Sequence, residues 1–245
     1  MTAWIAPARH LGLAALSGVV AGILVGGVLG RIAMRISGFA AGPALVGVST
    51  ANGERVGEIT FGGSLAVVIF VGLPFGVVGG ILYAIVEPWL RRARPWHGLA
   101  YGVGLLLAIG FIVLDPSNFD FTRFGPPLLN VAMFAALFVI FGVTIAWLFD
   151  TLRALRDRNG PAARVVDILA WLSLVPAVLV VVLLLGGAAG LEPPLSILIV
   201  AVLLVPAIVR WRGLPQAIGY ASLAGMLLLG AARTLSGLPE LVRGF

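Results

Sequence analysis

The chain contains no cysteine and no lysine, and only two histidines, His10 and His97. Without cysteine there are no disulfides, no thiolate nucleophile and no iron–sulfur or zinc–thiolate centre. Without lysine no Schiff base can form, which excludes a retinal pigment. Two histidines leave little for haem or histidine–metal chemistry, and no cofactor is expected. Charge is scarce too. Only 11% of the 245 residues are charged, against roughly 25% in a soluble domain, too few for a surface that meets water on every side. The signatures HExxH and GxSxG, the P-loop and the dinucleotide fingerprint are all missing. The sequence therefore leans away from an enzyme.

Long apolar runs take up the space. The chain is 60% hydrophobic, with a mean hydropathy of +1.12. Seven segments stand out, near 11–37, 63–88, 98–115, 127–149, 166–190, 195–209 and 214–233. A helix needs about 20 apolar residues to cross a bilayer. The runs are continuous, whereas strands of a membrane barrel would alternate apolar and polar residues. The expected fold is an all-α membrane bundle of about seven transmembrane helices forming one domain, residues 1–245. The first apolar stretch continues to Gly38 without a small-x-small cleavage site, so it reads as a retained span and not a secretory signal.

All sixteen basic residues are arginine, and their placement carries topology. Arg9, Arg91, Arg92, Arg94, Arg153, Arg156, Arg158, Arg164, Arg210 and Arg212 lie before or between spans on one side; Arg31, Arg35, Arg55, Arg123, Arg233 and Arg243 lie on the other. The positive-inside rule then predicts N-in/C-out. The tryptophans and all three tyrosines cluster near the inner ends, as an interfacial belt would. The sequence pI near 11.2 is explained by these loops and is not read as affinity for nucleic acid. No acidic residue falls at an expected midplane, which argues against a carboxylate proton relay.

Two outer connections, 38–62 and 115–127, are long enough to form a small extracytoplasmic cap. In the first, Gly42-Pro43 breaks an apolar piece that lies in the interface or re-enters the membrane. Asn52-Gly53 beyond it is a hairpin turn signal.

Glycines recur every fourth residue in the first two spans, at Gly18, Gly22, Gly26 and Gly30 and at Gly72, Gly76 and Gly80. One bare helix face lets another backbone approach closely. The ridges pack the two helices together, form a homodimer seam, or line a solute path. Pro74 and Pro176, in mid-span, are expected to kink their helices.

The stretch "GVLGRIAMRISGFAAG" places Arg31 and Arg35 one turn apart at the outer boundary, on one face that roughly continues the glycine ridge and so is expected to point toward protein. Guanidinium forks suit phosphate and carboxylate. The expected ligand site is an outward-facing polar pocket built from Arg31, Arg35, Glu58, Asp115, Asp120, Arg123 and Asn130, with Thr60 beside it. Its plainer reading is snorkelling arginines, structural salt bridges and an interhelical Asn130 hydrogen bond. Glu87 with Arg91 and Arg153 with Asp157 have the spacing of helical ion pairs.

The functional expectation is a binding or transport protein for an anionic or zwitterionic small molecule or lipid headgroup. The alternatives are a scaffold or accessory subunit packed through its glycine ridges, with a homodimer or membrane-complex partner, and a lipid-modifying enzyme using the outer carboxylates. The combination "GRIAMRISG", "GEITFGG" and "GGILYAIVEPWLRR" resembles an uncharacterised group of polytopic membrane proteins from high-GC bacteria. The likeness covers roughly residues 18–150 and implies a bacterial cytoplasmic (inner) membrane location, with no activity to carry over.

Overall fold

The computed structural model describes residues 5–45, 47–49, 60–114, 124–158, 160–188 and 216–243. Every regular element among them is helical. Helix α1 is Ile5–Ala40, α2 is Phe61–Ala93, α3 is His97–Val113, α4 is Pro127–Asp157, α5 is Pro161–Ala188 and α6 is Gln216–Arg243. Among the described residues, four helices are long and apolar enough to cross a membrane: α1, α2, α4 and the Pro161–Leu183 part of α5. The expected sixth segment (195–209), the Asn52-Gly53 turn and most of the cap fall outside the described residues.

The helices outrun the apolar segments that announced them. Helix α4 continues from Phe149 through eight further residues to Asp157, because "DTLRALRD" contains no glycine or proline and is rich in good helix formers. Hydropathy marks the length suited to hydrocarbon; the backbone helix stops only where its chemistry stops it.

Helices α1 and α2 run antiparallel through a glycine ladder. A β-carbon added at Gly18 would overlap the Gly76 carbonyl, one at Gly22 the Gly72 carbonyl, and one at Gly80 the Ala14 carbonyl. At that range backbone Cα–H groups and carbonyls meet directly, and dispersion holds the pair. The ladder fades toward its far end. Gly26 meets only the Gly72 backbone, and Gly30 has no close neighbour on α2. There both helices widen into facing π-helical turns, Gly22–Leu29 and Val67–Gly72. The second has a clear cause. Pro74 has no amide to return to Phe70, and just before it the Leu73 amide reaches back five residues to the Val68 carbonyl. The wide turn thus lies just before Pro74, where the sequence leads one to expect a kink.

A second glycine seam, unforeseen from the sequence, joins α3 to α4. Gly98 and Gly102 lie against the backbone of α4 at Phe138, Val139, Gly142 and Val143. Helix α6 runs alongside α3 in the same direction, with Gly104 near Leu227, Gly230 on Ala108 and Gly110 near Thr234. Helix α5 runs parallel to α1, with Gly12 on Ala170 and the Ser173 hydroxyl donating to the Gly12 carbonyl at 2.9 Å. So α1, α3, α5 and α6 share one direction, and α2 and α4 run the other way. The core between them contains Leu13, Ala14, Leu82, Tyr83, Tyr101, Ile145, Phe149 and Ala170. Tyr83 and Tyr101 are therefore core residues and not members of an interfacial belt; their rings meet edge to face at 5.0 Å, and the Tyr101 hydroxyl donates to the Gly79 carbonyl.

Gly22→Val or Gly76→Val should separate α1 from α2 and cost at least about 1–3 kcal/mol of stability. Gly225→Ala, at a helical site with nothing within 4 Å of the added carbon, should be neutral or stabilising by up to about 1 kcal/mol. Denaturation of the purified protein in mixed micelles, followed by circular dichroism, measures both.

Candidate functional site

The helix directions bring the arginine-rich segments to one end of the bundle. Arg9, Arg91, Arg92, Arg94, Arg153, Arg156, Arg158 and Arg164 gather there, against the carboxylates Glu87, Asp150, Asp157 and Asp167. Positive charge is in clear excess. The described arginines of the opposite end are Arg31, Arg35 and Arg233, together with Arg243 at the terminus of α6.

Some of this charge is tied into structure. Glu87, 1% exposed, takes the Arg91 Nε at 2.6 Å, the pair its spacing suggested. Asp150 accepts from Arg94 Nη2 at 2.9 Å and lies 3.4 Å from His97 Nε2, which fastens the α2–α3 connection to α4. Asp157 pairs with the adjacent Arg156 at 3.3 Å, and not with Arg153 as its i, i+4 spacing suggested.

Between α1 and α4 the same end opens into a cleft of about 600 Å³. Ile5, Ala6, Arg9, His10 and Leu13 line it from α1, and Phe149, Arg153 and Arg156 from α4. Arg153 and Arg156 are half-buried, and Arg9 is exposed. Among the described residues no carboxylate lies within ion-pair distance of Arg9 or Arg153, and Arg156 reaches only Asp157. The cleft is thus lined by three arginines together with apolar side chains and His10. His10 sits at its base, its Nε2 3.2 Å from the Ala84 carbonyl and its ring edge-on to Phe149 at 5.2 Å. Behind it the rings continue inward, from Phe149 to Tyr83 at 5.4 Å and on to Tyr101. Phe149 is fully buried and closes the cleft from the core.

The opposite end, where the sequence suggested a pocket, looks different. Glu58, Asp115, Asp120 and Arg123 lie outside the described residues. Arg35 is exposed, its guanidinium 5.0 Å over the Phe39 ring, and Arg31 is half-buried. The packed face of this last stretch of α1 is Gly30, Ala33 and Ser37, so the arginines flank it and do not continue the glycine ridge. Past the π-helical turn the buried face no longer follows the four-residue step. Asn130 is buried and points into the protein. Its Nδ2 donates to the Phe124 carbonyl at 2.7 Å, its Oδ1 lies against the Ser37 hydroxyl, and Ser37 Oγ is also 3.2 Å from that carbonyl. It clamps the start of α4 to α1. Gly125, at φ +78°, completes the clamp, since a β-carbon there would lie 2.8 Å from the Ser37 carbonyl. Thr60 is the N-cap of α2 and accepts from the Gly63 amide at 3.0 Å.

The cleft leaves little mark on the sequence, because its two walls are some 140 residues apart and each half is unremarkable alone. The only local signal was "ARH" before an apolar run and two arginines three apart near the end of α4. Among the described residues no group of three histidine, cysteine or acidic side chains could hold a metal ion. Fold and site define an all-helical chain with several membrane-length helices and a guanidinium-lined cleft at one end. No family model, curated protein or solved structure matches the chain.

Asn130→Leu removes the amide from the clamp, leaves the Phe124 carbonyl only the longer bond from the Ser37 hydroxyl and puts an apolar side chain among polar groups, so it should cost about 1–3 kcal/mol. Arg35→Gln loses only an exposed cation–π contact, worth about 0.5–1 kcal/mol. Thermal unfolding in one detergent should rank the two in that order.

Proposed function

We propose that the chain is an integral membrane protein of the binding or transport type that takes an anionic or zwitterionic small molecule or lipid headgroup. The observation that carries this reading is the cleft of about 600 Å³, which Arg9, Arg153 and Arg156 all line. Arginine forks give phosphate or carboxylate paired, charge-assisted hydrogen bonds. A half-buried setting strengthens those bonds relative to open water.

Seven spans with the N-terminus inside remain the topology of choice. The shared direction of α5 and α6 supports an odd number of crossings, and the arginine excess at the cleft end supports a cytoplasmic setting for it. With the bacterial cytoplasmic membrane that the resemblance implies as host, the cleft faces inward, opposite to the pocket expected around Arg31 and Arg35. The scaffold reading has less support, since Gly18, Gly22, Gly76 and Gly80 already pack against backbone of the same chain.

In detergent solution, inorganic phosphate or citrate should raise the melting temperature of the wild type in the millimolar range. The double variant Arg153→Gln/Arg156→Gln should weaken that response at least tenfold, and Arg31→Gln/Arg35→Gln should leave it intact. The reverse pattern would return the site to the opposite end of the bundle. No response in the wild type would end the anion reading.

A further inference from the structure

Of the side chains that line the cleft, His10 is the one whose charge can change near neutral pH; Arg9, Arg153 and Arg156 keep theirs. The ring is held from two sides. Its Nε2 lies 3.2 Å from the Ala84 carbonyl of α2, and its edge meets the Phe149 ring of α4 at 5.2 Å. A carbonyl oxygen only accepts, so the neutral ring carries its hydrogen on Nε2 and takes a second proton on Nδ1. Gaining that proton adds a unit of charge without turning the ring.

Phe149 links the ring to the arginines. Arg153 stands one helical turn beyond Phe149 on the same face of α4, a spacing that sets β-carbons about 5–6 Å apart, and Arg156 follows three residues later. On α1, Arg9 directly precedes His10. A charge on His10 therefore joins three others of the same sign, and an anion in the cleft is what relieves the crowding. The surrounding carboxylates face other partners. Glu87 on α2 holds Arg91; on α4, Asp150 holds Arg94 and lies beside His97, and Asp157 holds Arg156. The remaining described carboxylate at this end is Asp167 on α5, three residues before the Ala170 that meets Gly12, with Arg164 a turn earlier. Tyr83, buried behind Phe149, completes the titratable groups on the helices around the ring. Water reaches the site. Trp147, 64% exposed, lies six residues before Arg153 on α4, about 9 Å along the axis, and exposed tryptophans mark the headgroup layer of a bilayer.

Resting on the anion reading above, we infer that the cleft takes up its anion together with a proton, which His10 holds. The charged ring strengthens anion binding, and the bound anion favours the charged ring by the same factor. Anion binding tightens as pH falls through the range in which imidazole titrates, around pH 6.5.

Sulfate is the probe, because it keeps its charge across this range and leaves any pH response to the protein. In neutral detergent, thermal shifts should show sulfate binding to wild type at least about threefold tighter at about pH 6 than at about pH 8. Calorimetry between these values, in two buffers of different ionisation enthalpy, should show net proton uptake on binding. His10→Gln keeps an N–H for the Ala84 carbonyl. It should bind sulfate equally at both pH values, at the weaker wild-type affinity, and take up no proton; His10→Asn serves as a second variant with the same expectation. His97→Gln removes the other histidine and should leave both signals in place. Sulfate binding to wild type without proton uptake overturns the inference, and so does a pH response that survives in His10→Gln and His10→Asn. In either case, sulfate binding that is lost in Arg153→Gln/Arg156→Gln leaves the anion reading standing. No response of wild type to sulfate at either pH removes the two together.

Discussion

The structure depends on how closely two backbones can approach in the absence of side chains. Gly22 meets Gly72, Gly18 meets Gly76, and Ala14 meets Gly80. Each step moves four residues along α1 and four back along α2. The next step pairs His10 with Ala84, where a ring nitrogen reaches the carbonyl. One antiparallel register therefore runs from the facing π-helical turns to the floor of the cleft. Hydrophobic burial gives little drive between helices in lipid, so this register is held by dispersion and backbone contacts that only small residues permit. A larger residue anywhere along it would tilt α1 and carry Arg9 and His10 away from Arg153 and Arg156. The seam fixes the spacing of a site that contains none of its glycines.

Electrostatics follows from that geometry. Short connections leave the arginines of several segments no choice but to share one end of the bundle. Like charges crowded there repel, and the structure answers where it can. Asp150 bridges Arg94 and His97, and Glu87 holds Arg91. Arg9 and Arg153 have no such answer among the described carboxylates, and they border the cleft. Excess charge that is not neutralised internally is available to a ligand, and its field reaches about 8–10 Å before salt screens it.

The helical class, the apolar lengths and the four-residue glycine spacing could be read from local composition, because each depends on residues close in sequence. The Glu87–Arg91 pair was legible for the same reason. The cleft was not, since it needs Arg9 and Arg153 brought together by a register that no single segment encodes. Tyr83 and Tyr101 were misplaced by a statistical preference of aromatic residues for interfaces. Their neighbours on α1, α3 and α4 decide otherwise, and Phe149 seals them in. A four-residue step carried on from the glycines points Arg31 and Arg35 toward protein, but the π-helical turn Gly22–Leu29 breaks that step and the buried face becomes Gly30, Ala33 and Ser37. Asn130 was ambiguous from sequence alone, and only the position of Ser37, 93 residues away, turns it into a clamp.

The ring series behind the cleft bears on what kind of protein this is. A channel would need a wet path from the cleft toward the other end of the bundle. Along the described residues that direction is filled by Phe149, Tyr83 and Tyr101, all buried and packed edge to face. Moving them aside would open the core that α1, α2, α3 and α4 share, with costs of the order of large core deletions, about 3–5 kcal/mol for each aromatic ring. A charge held in the cleft, by contrast, stays at the headgroup level and keeps part of its hydration. An anion held end-on among Arg9, Arg153 and Arg156 asks nothing of that core. Among the described residues, then, the cleft ends at packed rings and does not continue as a wet path into the bundle.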